Sequence, residues 1–120
     1  MGSVSTPRIH ALSEAGVMLR EERDALEVIG EAYGVELDWL AIPVARFATE
    51  CFDLKTRALG AILQKFVNYG LRVAIVGDVS QHVARSDAFR DFVREANRGR
   101  QLAFAESVEA LRARLGASNG

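Results

Sequence analysis

Hydrophobic positions change their spacing several times along this chain, and each change marks an element. Ala58, Leu59, Ile62, Leu63, Phe66 and Tyr69 recur at three- and four-residue steps, opposite Lys55, Arg57, Gln64, Lys65 and Asn68. That period is one apolar face of an amphipathic helix. Asp53 stands ahead of the run, where its carboxylate can accept from an unpaired amide of the first turn. Gly70 follows, the residue expected where a helix turns out through a left-handed conformation. Leu71, Val73, Ala74, Ile75 and Val76 then run almost unbroken into Gly77-Asp78. A strand apolar on both faces belongs inside a parallel sheet covered by helices. The helix before it is therefore read as a crossover between parallel strands.

The rest of the chain follows the same alternation. Ile9 and Ala11 alternate with Arg8 and His10, and Val17 to Leu19 can pair back across the turn cluster Ser13-Glu14-Ala15-Gly16 as a hairpin. From Glu21 the period lengthens: Ala25, Leu26, Ile29, Ala32 and Tyr33 form a stripe, with Glu21, Glu22 and Asp24 crowding the first turn and Gly34 ending it. Trp39 to Ile42 is a buried strand stopped by Pro43, and residues 44–52 connect it to the central helix. Val79 to Arg85 reads as a loop. Ser86-Asp87 caps a helix with Ala88, Phe89, Phe92, Val93 and Ala96 inside, Leu102 to Ala105 is a last strand, and Ser107 caps a final helix through Val108, Leu111 and Leu115. The predicted order is β-β-α-β-α-β-α-β-α: an α/β fold, a mixed sheet of four to five strands with about four helices. One domain is expected over 8–116, with a loose tail at 1–7 and a frayed end at 117–120.

Composition narrows the class. The chain has 120 residues, 49% of them hydrophobic, which is enough for one proper core. A net charge of −1 supplies no field that would recruit nucleic acid. The single cysteine rules out an internal disulfide framework and fits a reducing compartment. No run has the length of a signal peptide core or a bilayer span, so a cytoplasmic location away from membranes is expected.

Candidate chemistry is sparse. His10 and His82 have no companions at metal-ligand spacing, so neither metal nor cofactor is implied. Cys51 lies before the central helix, where amides could stabilise a thiolate, but a buried thiol is the commoner outcome. Asp78 ends an apolar strand at its carboxyl end, where open α/β sheets place ligand-binding groups, and Ser80 and His82 follow it. The plainer reading has Asp78 closing its own loop through an Asx turn. Arg94, Arg98 and Arg100 with Asn97 make the densest basic spot, read as a solvated helix end.

The element order resembles the sulfate-transporter and anti-sigma-antagonist (STAS) domain. Its aspartate-serine-serine-glycine motif lines up with Asp53-Leu54-Lys55-Thr56. In antagonists of that family the second serine is phosphorylated to release a partner kinase. Lys55 occupies that position here and brings the opposite charge. The stretch Phe52 to Asp78 also looks much like an uncharacterised bacterial family, domain of unknown function 4180, with the likeness running over residues 20–115. Two expectations follow. The first is a non-catalytic regulatory module that meets a protein partner through Asp53, Leu54, Lys55 and Thr56. The second is a small-ligand domain or minor enzyme using Asp78, Ser80 and His82 at the strand-carboxyl edge. A homodimer is compatible with both.

Overall fold

A computed structural model describes residues 7–117. The loose ends expected at 1–7 and 117–120 fall outside those residues, save for Pro7 and Ala117 at their margins. Four strands, β1 (Ile9–Ala11), β2 (Trp39–Pro43), β3 (Val73–Val76) and β4 (Leu102–Ala105), form one sheet in chain order, each parallel to the next. β3 lies inside the sheet, paired with β2 through Leu40↔Val73 and with β4 through Val73↔Leu102. Both of its faces are covered, which is why its apolar run is continuous rather than alternating.

The period-2 geometry of the strands separates two layers. Leu40, Ile42, Val73, Ile75 and Phe104 point to one side, against α1 (Asp24–Glu31), α2 (Ala58–Asn68) and α4 (Asp87–Arg98). Ala25 and Val28 of α1, Leu59, Ile62, Leu63 and Phe66 of α2, and Phe89 of α4 complete that core. On the other side Trp39, Ala74, Ala103 and Ala105 meet α5 (Val108–Ala117), the one helix on that face among the described residues, through Leu111 and Leu115. With strands in chain order and crossovers of one hand, intervening helices must stack on a single face. A helix after the last strand is free to take the other face.

Three expectations need correction. The sheet is parallel throughout the described residues, not mixed, because the expected hairpin does not form. Residues 14–16 bend, and Leu19 makes an isolated parallel bridge with Phe47 in place of a strand pairing. What holds that segment is Arg46, 1% exposed, in a short 3₁₀ turn after β2 (Val44–Arg46). Its guanidinium donates to the carbonyls of Val17 and Ser13, both at 3.0 Å, and to Glu31 Oε2 at 2.7 Å. Gly16 allows the approach: at φ 133° it carries no Cβ, and one would lie 2.7 Å from Arg46 Nη2. Second, the segment expected to be a loop after Asp78 contains a helix, α3 (Ser80–Arg85). Third, Tyr33 (89% exposed) and Tyr69 (57%) do not join the apolar faces. Each lies past the last helical residue of α1 or α2, where the helical period no longer aims a side chain at the sheet.

Candidate functional site

Because the strands are parallel, the chain leaves β2, β3 and β4 at one edge of the sheet. The segments that leave there, 44–57, 77–79 and 106–107, carry most of the sequence-predicted site residues. Open α/β sheets hold ligands at this edge where the strand order reverses; here the strands run in chain order, so the site is shaped by the loops and by the helix that follows β3.

The turn 53–56 is built by its own side chains. Asp53 Oδ1 accepts from the Lys55 amide at 3.1 Å, Thr56 Oγ1 donates to the Asp53 carbonyl at 2.9 Å, and the same hydroxyl accepts from the Ala58 amide at 3.2 Å. Asp53 therefore caps a 3₁₀ turn (Leu54–Thr56) and not α2, whose first amide is served by Thr56. Between the two stands Arg57 at φ 64°, the one non-glycine residue of the described chain with positive φ. That conformation costs a side chain about 1 kcal/mol and turns the chain sharply into the helix. Asp53, Lys55 and Thr56 are left exposed, with Leu54 half-buried against the core.

Beside this turn lies a cleft of about 590 Å³ whose lining includes Glu50, Phe52, Asp53, Lys55, His82 and Arg85. His82, on α3, stacks on Phe52 with ring centroids 4.7 Å apart and meets the edge of Phe89 at 6.1 Å. Glu50 is engaged by Arg20 at 3.6 Å. Lys55 and Arg85 have no carboxylate partner among the described residues, so two cations and Asp53 remain open to an incoming group.

Asp78 and Ser80 face elsewhere. They border a second cleft of about 610 Å³ on the other flank of α3, floored by Val83, Val93 and Phe104, with Glu106 and Arg114 at its mouth. Asp78 Oδ1 accepts from the Ser80 amide at 2.8 Å, the Asx turn that opens α3. Hydrogen bonding by the Ser80 hydroxyl and then its amide holds the Asp78 carboxyl below its ordinary range. The helix α3 thus splits the predicted trio: His82 joins Asp53 and Lys55, while Asp78 and Ser80 stay together on the far side.

Cys51 lines neither cleft. It is fully buried, its Sγ donates to the Leu19 carbonyl at 3.4 Å, and burial first, then the charge of Glu50, pushes its thiol pKa up. It stays a protonated core residue at neutral pH. Among the described residues no group of three or more His, Cys, Asp or Glu is placed to hold a metal ion, and no helix is long and apolar enough to cross a membrane. His10 sits on β1, away from both clefts. Asn97, read as part of a basic helix end, instead accepts from the Phe104 amide at 2.8 Å.

With this geometry, the sequence matches the family described as Domain of unknown function (DUF4180) over residues 5–115. The chain belongs to that family. No curated protein and no solved structure matches it. Membership in DUF4180 spans every strand of the sheet and both clefts, so the two candidate sites lie within the family's domain. Sequence reasoning missed the Phe52–His82 stack. The signal that could have raised it was an aromatic directly before Asp53 and a histidine in a short segment following the central strand.

Proposed function

We propose that this DUF4180 chain is a non-catalytic regulatory module that docks a protein partner through Asp53, Leu54, Lys55 and Thr56 and the adjoining cleft. The observation that carries this reading is the exposed turn 53–56 at the strand-carboxyl edge, where Lys55 and the nearby Arg85 have no carboxylate partner among the described residues. Lys55 and Arg85 suit an acidic or phosphorylated segment of the partner. The STAS resemblance supports it as well, since the turn precedes the helix that leads into the central strand, as the antagonist motif does. Reversing the charge with Lys55→Glu should leave the melting temperature within a few degrees of wild type, as for exposed substitutions in general. The same change should weaken capture of the partner by at least about tenfold, the loss of one charge-assisted contact. Affinity capture followed by mass spectrometry measures this. A wild-type protein that retains no specific partner, or a variant that retains the same one undiminished, counts against the proposal.

A second reading has one observation in its favour: His82, Phe52, Asp53 and Lys55 share a concave site of small-ligand size. A small anionic metabolite packed against His82 and held by Lys55 and Arg85 would stabilise the native state by mass action. A thermal-shift panel of nucleotides, phosphorylated sugars and carboxylic acids tests it. No shift at millimolar ligand, or a shift unchanged in Lys55→Glu and His82→Ala, removes this reading.

A further inference from the structure

The two edges of the sheet are finished differently. Alternation along β4 turns the amide and carbonyl of Phe104 outward, and both are taken up within the molecule. Asn97 Oδ1 accepts from the amide at 2.8 Å, Arg114 Nη2 donates to the carbonyl at 2.6 Å, and Arg114 Nη1 donates to Asn97 Oδ1 at 3.0 Å. This clasp between α4 and α5 closes part of the β4 edge against another strand.

β1 has no such clasp. The Arg8 carbonyl accepts from the Trp39 amide at 3.0 Å, and the Leu12 amide donates to the Ala41 carbonyl at 2.9 Å. Alternation between those two points turns the amides and carbonyls of Ile9 and Ala11 away from β2. Among the described residues these outward groups have no hydrogen-bond partner. Ala11 is exposed, and Ile9 is half-buried against the layer that holds Trp39 and Leu111.

We propose that β1 is the surface through which two copies of this chain associate, β1 against β1 in antiparallel pairing about a two-fold axis at His10. The edge is self-complementary in that register. Ile9 lies opposite Ala11 of the partner copy, and Ala11 opposite its Ile9, each pair exchanging both N–H···O bonds. All the outward groups of the two residues are then satisfied. The apolar side chains also meet on the α5 face, so the layer of Trp39, Leu111 and Ile9 continues across the axis and covers Ala11. A second copy is the occupant that this alternation specifies, because an apolar residue faces an apolar residue on both sides of His10. The two-fold contact uses up both β1 edges and so closes at two copies, and the Asn97–Arg114 clasp obstructs further pairing at β4. This association is independent of what the Lys55 cleft binds.

Sedimentation equilibrium of the full chain tests it, over roughly 10 µM to 1 mM because a contact between short strands falls among the small, weak interfaces. The average mass should rise with concentration toward twice the monomer. Ala11→Pro deletes an amide that β2 does not use, and Ala11→Glu places a charge in the apolar seam. Each should keep the far-UV spectrum and melting temperature of wild type and raise the dimer dissociation constant at least tenfold. Should Ala11→Pro disturb the fold, the Ala11→Glu result decides. A wild-type chain that stays monomeric over the whole range overturns the proposal, and so does a dimer equally stable in a folded variant.

Discussion

Arg46→Ala is expected to lower the free energy of unfolding by about 2 to 4 kcal/mol, the cost of leaving two carbonyls without their donor and of emptying a buried side-chain volume. The side chain is buried, yet it is fully engaged: Ser13 and Val17 offer carbonyls and Glu31 a carboxylate. Alanine would leave the Ser13 and Val17 carbonyls without that donor, release the half-exposed Glu31 carboxylate to water, and open a void beneath Gly16. Without Arg46 the bend at 14–16 keeps its local Ala15–Ser13 bond and, further on, the contacts of Leu19 with Phe47 and Cys51. Arg46→Met should recover part of the loss by filling the volume, while leaving the carbonyls without a donor. Urea unfolding followed by circular dichroism gives both numbers. A loss below about 1 kcal/mol for the alanine variant would mean that water replaces the guanidinium without penalty, and this account of the loop would fail.

Phe89→Ala should cost a similar amount, about 3 to 5 kcal/mol, as for other large-to-alanine changes in a well-packed core. Phe89 is fully buried and is the hub of a ring cluster, 5.7 Å from Phe52, 5.8 Å from Phe104 and 6.3 Å from Phe92 between centroids. It also backs the edge of His82, so its removal loosens the wall of the Lys55 cleft as well as the core. Phe89→Leu, which keeps most of the volume, should lose about half as much or less. Thermal and urea denaturation of the pair would show this ordering. If both variants lose equally, ring geometry rather than filled volume sets the stability, contrary to what is expected.

Much of the architecture was legible in the chain, for reasons that can be named. β3 announced itself because a strand covered on both sides cannot afford polar positions, and Val73 to Val76 has none. The inner face of α2 followed from its period, and Leu59, Ile62, Leu63 and Phe66 are all buried. The expected hairpin does not form: two short apolar segments, Ile9–Ala11 and Val17–Leu19, look the same in sequence whether a ladder or a side chain ties them. Here it is Arg46, a lone charge in the apolar stretch Leu40 to Ala48, whose partner Glu31 lies on another element. α3 was missed because six residues are too few to display a helical period.

The candidate site was legible in its parts and not in its grouping. Asp53, Lys55 and His82 were each singled out, but only the packing of α3 on α4, through Phe52 and Phe89, brings His82 across to the turn 53–56. The same packing sends Asp78 and Ser80 to the opposite flank, a separation invisible in a stretch where they sit two to four residues from His82.

The alanines beneath α5 act as a spacer. Ala74, Ala103 and Ala105 present single methyl groups to that helix, so its height above the strands is set by side chains with no rotamer to adjust. Any branch added there must displace the whole helix, and displacing it pulls Arg114 away from Asn97 and Phe104. A small increase in bulk on this side would thus be transmitted as a rigid-body tilt that unclips the far margin of the sheet. The ring-filled side, with more freedom to repack, would absorb it locally.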